Sequence, residues 1–422
     1  MTRRQGTERM RNEPEPGIAD GRTAPTARDR NRNRNGDRNR SGGRSPRAMR
    51  LAVCAVFFVT GAAFATWAAR VPAVQSRLDL SAGELAIALV GLSGGAFLGL
   101  PLVGGLVARY GSRKVLCAGL VAYLGALASL PHVPDLAVLT AALALFACGN
   151  TAVDVAMNTQ GVLVERAYGR PVLGGFHAMF SLGGITGATA GGLAASAGIG
   201  IRAHFTVAAL VLLVVAGAAA TALAPDPPRA EGPSRRDPLL ALPGPGLWIP
   251  GLVAFCALMG EGVVNDWGAV YLKEETGASP GAAGLGYAVF SAGMVAGRLT
   301  ADRLRSRLGT VRFTLLCAAV AGAGALIPIL VATTAAGFVG YGLLGLGMAA
   351  VIPLVFAHAA GLRPERTGSS IAAVSAVGYV GFLAGPPVIG ALAEAATLRW
   401  AMLVLPALMA AMALLATRLR RG

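Results

Sequence analysis

The sequence predicts an all-α integral membrane protein, with twelve transmembrane helices arranged as two pseudo-symmetric six-helix bundles. Three observations predict it. The 422 residues are 54% hydrophobic and only 14% charged, where a soluble domain carries about a quarter charged residues. The apolar residues gather into twelve segments of roughly 18–27 residues, each long enough to cross a bilayer as a helix. A stretch rich in proline and charge, residues 225–247, divides these segments six and six, and the two sets echo one another.

Residues 1–48 are rich in Arg, Asn, Pro and Gly and nearly devoid of apolar side chains, a composition that predicts a disordered cytoplasmic tail. Residues 1–50 hold 14 arginines against six acids, so much of the formal charge of +16 lies outside the membrane part. Such a tail suits an anionic lipid leaflet. As an RNA-binding arm it lacks interleaved aromatics, and no nucleic-acid partner is expected. A plainer reading is that translation begins at Met49, since MRLAVCAVFF opens a polytopic protein naturally. The first apolar stretch is too long for a cleavable signal peptide and lacks a cleavage site.

The expected spans are 51–74, 84–108, 115–131, 136–163, 172–198 and 203–224 in a first bundle (49–224). After the linker (225–247) come 248–272, 281–301, 311–331, 335–361, 368–393 and 399–417 in a second bundle (248–422). The turns after even-numbered spans, with their helix ends and the C-terminal end, hold 18 Lys and Arg; the alternate turns hold five (Arg70, Arg77, Arg202, Lys273, Arg399). By the positive-inside rule both termini are cytoplasmic, in a multi-pass protein of the cytoplasmic membrane.

The repeat is visible in two places. Span 2 and its turn end GGLVARYGSRKVL (104–116), and span 8 ends GRLTADRLRSRLG (297–309). GGITGATAGGL (183–193) in span 5 is matched by GYVGFLAGPPVIGAL (378–392) in span 11. Paired six-helix halves enclose a binding site near the bilayer midplane, and glycines four apart, such as Gly183, Gly187 and Gly191, let helices pack closely. Cys54, Cys117, Cys148, Cys256 and Cys317 all lie in apolar spans, at no disulfide or metal spacing.

With these features the chain resembles the major facilitator superfamily. Gly104, Arg109, Gly111, Arg113 and Lys114 fit that family's basic turn after span 2; Ala108 departs from it where aspartate is usual. The second copy keeps an acid–base pair, Asp302 and Arg303, with one residue more after its glycine. More narrowly, residues 64–81, 153–184 and 261–272 resemble a prokaryotic branch related to fucose permeases. The resemblance covers essentially residues 51–417. It implies solute movement by alternating access, often coupled to protons, with the basic turns around Arg109, Arg113, Asp302 and Arg303 latching the inward-closed form. It also implies that Arg113 is a partner for an acid on span 4.

That span carries Asn150, Asp154 and Asn158, which recur every four residues and so lie on one side of a helix. An ionisable group near the bilayer centre costs at least ~2.5–3.5 kcal/mol unless it faces a partner or a wet cavity. The stripe therefore faces the protein interior, with Asp154 as gate latch, proton site or packing residue. In span 7, Glu261 and Asn265 share a face, Asp266 is rotated about a third of a turn from them, and Trp267 follows. A carboxyl so placed is biased toward its neutral form until an arginine or water restores its charge, the property a proton-coupled carrier needs. The alternative is a buried acid satisfied by Asn265 or a helix end. His177, between Phe176 and Phe180 on span 5, is a pocket wall or a hydrogen-bonded packing residue. Glu165 and Arg166 read as exposed or gate ion pairs, and Arg70 as a side chain snorkelling to the interface or meeting solute.

No phosphate-binding GxxxxGK[ST], no HExxH and no nucleotide-binding domain occur, so neither an enzyme nor a cofactor is expected. The expected activity is secondary transport of a small polar organic solute, possibly sugar-like, with a proton as coupling ion and a monomer as the working unit. Substrate and proton would follow Asn150, Asp154, His177, Glu261, Asn265, Asp266 and Trp267. The alternatives are proton-driven export of an amphiphilic compound, or a non-transporting sensor of the same fold. In span 5, Ala188 stands where drug–proton antiporters carry the proline of Gly-Pro-x-x-Gly-Gly, which weakens the export reading.

Overall fold

The computed structural model describes residues 45–169, 172–226, 244, 246–362 and 367–419. The tail, most of the linker and the turn at 363–366 lie outside the described residues. Within them the chain is helical throughout, without a strand. The helices are α1 (Pro46–Ala68), α2 (Val71–Leu78), α3 (Ala82–Tyr110), α4 (Ser112–Ser129), α5 (Leu136–Tyr168), α6 (Leu173–Ser196) and α7 (Ile201–Ala220) in the first half. In the second half they are α8 (Trp248–Glu275), α9 (Pro280–Val331), α10 (Thr334–Met348), α11 (Val351–Leu362), α12 (Thr367–Ala395), α13 (Leu398–Ala401) and α14 (Val404–Ala416). Eleven helical segments among the described residues are long and apolar enough to cross a membrane. The glycine-rich first part of α9, ending near Gly309, brings the passes to twelve.

The boundaries follow from local chemistry. Ser45 caps α1, its hydroxyl accepting from the Ala48 N–H at 3.2 Å, with Pro46 in the first turn. Span 1 thus begins before Met49, and it ends at Ala68; Arg70 turns the chain into the short α2. Ser81 and Glu84 form a reciprocal capping box on α3, and Asp135, Ser279 and Thr333 cap α5, α9 and α10. Span 10 is divided into α10 and α11 because the ring of Pro353 crowds the carbonyl of Ala349; Pro406 divides span 12 in the same way at Met402.

The two halves repeat their packing. Gly91 and Gly95 of α3 press against the Thr140 and Ala144 carbonyls of α5. Their counterparts Gly293 and Gly297 of α9 press against the Gly342 and Leu346 carbonyls of α10. Span 1 meets span 5 where Gly61, Gly183 and Gly187 abut the Phe180, Phe58 and Ala62 carbonyls, and span 7 meets span 11 at Gly381 and the Phe255 carbonyl. At these contacts a Cβ has no room. The turn glycines repeat as well: Gly111 has φ 86° and ψ 155°, and Gly309 φ 74° and ψ 167°. That region is open essentially to glycine alone, and at Gly309 it divides α9 into two helical stretches across a kink.

Candidate functional site

One end of the bundle carries Ser45, Gly111, Gly169 and Gly309 with their arginines, the basic end; the opposite, far end carries the turns at residues 69–81, 197–200 and 276–279. The far end is closed across the two halves. Gly192 of α6 lies against Gly281 and Leu285 of α9, and Gly284 against the Ala69 carbonyl. Gly83 at the start of α3 donates its N–H to Glu394 of α12 at 3.0 Å, and Gly390 sits on Ala86. Lys273 of α8 donates to the Ser76 hydroxyl on α2 at 2.6 Å.

Toward the basic end His177 of α6 and Arg298 of α9, which touch α1 and α6 respectively, and Tyr379 of α12 are exposed, which marks an opening between the halves. Asn150, Asp154 and Asn158 are all half-buried on one side of α5. Asn158 Nδ2 donates to the Asp154 carboxylate at 3.1 Å and to its carbonyl at 2.9 Å. Across the opening, Asp154 is within electrostatic reach of Tyr379 on α12, which is 41% exposed. Glu261, half-buried on α8, reaches both Tyr379 and Arg298 of α9. Arg298 is exposed to the opening and donates from Nη1 to Ser181 Oγ of α6 at 2.9 Å. This hydrogen bond joins the two halves on the basic-end side of the far-end contacts. His177, one turn before Ser181, packs edge-on against Phe57 of α1 at 5.2 Å between ring centroids and also faces Arg298. Tyr287 lies beside Gly184 and 6.2 Å, ring to ring, from Phe64.

Asn265, Asp266 and Trp267 lie deeper. They are 7%, 1% and 0% exposed, and Asn265 Oδ1, both Asp266 carboxylate oxygens and Trp267 Nε1 take no partner among the described residues. Trp67 Nε1 of α1 is likewise buried and unpartnered. The structure thus brings Asp154, His177 and Glu261 to one opening and leaves Asp266 and Trp267 closed off from it in this conformation.

The basic end holds a different network from the one expected. Arg113 donates its side chain to the Ala220 carbonyl at 3.2 Å and its N–H to Asp226 at 3.1 Å. Asp226 also accepts from Ser112 N–H and Oγ, and the buried Gln160 joins Ser112 Oγ to the Ala224 carbonyl. The signature turn is therefore tied to the start of the linker, and Arg113 and Asp154 hold separate partners. Arg109 stacks on Tyr110 at 5.3 Å on the exposed rim, where Arg303 also lies; the side chain of Asp302 is outside the described residues. Among the described residues the Glu165 carboxylate takes backbone partners: it accepts the Val172 and Leu173 N–H groups at 2.8 and 3.1 Å and closes the start of α6. Arg70, 5% exposed, does not snorkel; it donates to the Gly191 and Ile199 carbonyls and ties α1 to the end of α6.

Arg298 is the site residue that sequence reasoning missed. It stands just before the basic turn of the second repeat and reads as part of it, yet 11 residues of helix before Gly309 carry it about 16 Å into the bundle. The signal is its position within the first part of α9, about one and a half turns before the run of turn arginines that begins at Arg303.

This architecture, two glycine-packed repeats around an interior polar opening, matches the family model for the Major Facilitator Superfamily over residues 52–260 and again over 250–422. The chain belongs to the major facilitator superfamily. An uncharacterised MFS-type transporter of Yersinia pestis is 36% identical over 347 residues, covering 81% of this chain and 88% of that one. The uncharacterised transporter y4wD of Sinorhizobium fredii is 35% identical over 374 residues, 87% and 97% of the two chains. Among solved structures, a variant of the nucleoside transporter NupG superposes with a TM-score of 0.72 at 12% identity, over 88% of this chain and all (100%) of that one. A bacterial homologue of the human lysosomal transporter Spinster, inward-facing and occupied, gives 0.65 at 13% identity over 88% and 94%. The protein is thus a multi-pass membrane protein of a transporter family. None of the relatives named here is a fucose permease.

Proposed function

We propose that the protein is a proton-coupled secondary transporter that moves a small polar organic solute across the cytoplasmic membrane by alternating access. The basic end faces the cytoplasm, as the positive-inside rule requires, so the conformation described is closed to the outside and open inward. One observation supports the reading: Glu261 and Asp154, half-buried acids of opposite halves, both lie within electrostatic reach of Tyr379, with Arg298 in reach of Glu261. An acid inside a membrane bundle is costly, and it is tolerated where it meets a partner, water or cargo. Here its environment changes when the halves rock: when the far end opens and the basic end closes, Glu261 exchanges access from one side to the other and takes its proton with it.

The test is reconstitution. Purified protein is screened by thermal shift against sugars, organic acids and antibiotics at pH 6 and pH 8, because a ligand of the folded state raises the melting temperature. A hit is then used to drive proton flux in liposomes. Glu261→Gln abolishes solute-driven proton flux while solute exchange continues; undiminished flux in Glu261→Gln removes Glu261 from coupling.

A further inference from the structure

We infer that the transported solute carries a carboxylate, and that Arg298 holds it in competition with Glu261. This rests on the transport reading above and adds the chemical class of the cargo. The guanidinium of Arg298 presents five N–H donors in a flat fork that matches a carboxylate edge to edge. Among the described residues it makes one hydrogen bond, from Nη1 to the neutral Ser181 hydroxyl. Glu261 lies near enough to feel its charge, yet the fork is not engaged on that carboxylate. A cation exposed in the opening between two halves, with most of its donors uncommitted, is built to receive an anion from outside the chain.

The neighbours fit that occupant. His177 and Ser181 of α6 and Tyr287 of α9 set further polar groups beside the fork, and the Phe64 ring, 6.2 Å from that of Tyr287, supplies apolar surface. The titratable groups that face Arg298 or Glu261 directly are His177 from α6, Tyr287 from α9 and Tyr379 from α12; Asp154 of α5 reaches Tyr379 and the buried Asp266 of α8 reaches Tyr287. While Glu261 is ionised it attracts the Arg298 guanidinium and repels an incoming carboxylate. A proton taken from water onto the Glu261 carboxylate removes both effects and leaves the guanidinium to the solute. Proton and organic anion then enter the site together, with no net charge added.

The experiment uses three matched pairs of probes: D-glucuronate with D-glucose, D-gluconate with sorbitol, and nicotinate with nicotinamide. Each is tested by thermal shift on the purified full chain at pH 6 and pH 8. At least one acid stabilises the wild type more than its neutral partner does, and more strongly at pH 6. Arg298→Gln weakens that acid roughly 10- to 100-fold, the worth of a charge-assisted contact; Arg298→Lys weakens it less. Glu261→Gln binds the acid as well at pH 8 as at pH 6, Asp154→Asn retains the wild-type pH dependence, and the far-end control Arg202→Gln changes nothing. A neutral member that outperforms its acid overturns the anion assignment and leaves the transport reading intact. Acid binding that survives Arg298→Gln, or that stays pH-dependent in Glu261→Gln, overturns the competition. Silence from all six probes in a protein that responds to other solutes overturns the inference; silence to every solute overturns the transport reading too.

Discussion

Gly192→Ala offers a way to drive the molecule without knowing its cargo. A methyl at this position would stand 2.8 Å from the Gly281 carbonyl oxygen and 2.9 Å from Leu285 Cγ, where ordinary contact begins at 3.4 Å. Both obstacles belong to α9, in the other half, and neither is the far end of a flexible side chain. Overpacking of this kind typically costs ~1–3 kcal/mol. Because the clash lies on the seam that closes the far end, it is relieved by parting the halves, a shift of roughly 5- to 150-fold toward the far-end-open state. The assay places a cysteine at Ala288, which packs with Ala65, Ala69 and Ala188 at the same seam, in a chain freed of its five native cysteines. An impermeant maleimide added from the far side then labels it faster in Gly192→Ala by about that factor. Gly183→Ala makes the same chemical change against the Phe58 carbonyl within one half; it lowers the melting temperature and leaves labelling alone. Gly217→Ala, with nothing within 4 Å, reports the helix-propensity gain of ~1 kcal/mol by itself. Unchanged labelling in Gly192→Ala, or equal labelling in Gly183→Ala, refutes the reasoning.

Three further outcomes are expected. Glu165→Ala uncaps α6 and lowers stability by about 1 kcal/mol, read as a fall in melting temperature; no fall refutes the cap. Gly111→Ala and Gly309→Ala each force a Cβ into the same forbidden backbone region and cost about 1–3 kcal/mol, Gly111→Ala the more because its Cβ also meets the Asp226 carboxylate; no loss at Gly309 contradicts the repeat of the turn. Asp266→Asn changes stability by less than ~0.5 kcal/mol, because the carboxyl has no partner to lose; a loss of ~2 kcal/mol or more shows that a hydrogen-bonded charge has been removed.

The sequence made the passes legible and the contacts between them much less so. Helix number follows from apolar length, a property of each segment alone, and the capping residues Ser81, Asp135, Ser279 and Thr333 announce their helices locally. The glycine spacing likewise anticipated close packing, though not which carbonyl each glycine meets. The stripe of Asn150, Asp154 and Asn158 was readable because helical periodicity is a one-helix property. Partners contributed by other helices were not. Arg113 is matched by Asp226, a linker residue with no pattern of its own, and Arg70 by main-chain carbonyls, which have no sequence signature. Arg298 was concealed by the arginines that follow it, since composition does not distinguish a charge at a turn from one about three helical turns inside the bundle. Trp267 is buried with Asn265 and Asp266 in this conformation, a depth that the spacing of polar residues along one helix does not give.

The most direct measurement is a pair of spin-label distances taken on the same protein in lipid. One pair, at Ala82 and Ala396, straddles the far end; the other, at Ala108 and Arg307, straddles the basic end. Double electron–electron resonance should give a short far-end and a long basic-end distance in the wild type. In Gly192→Ala a second population appears with both relations reversed and in matching proportion. A far-end distance that lengthens with no shortening at the basic end, or one fixed distance at each end in both proteins, would contradict alternating access by these two halves.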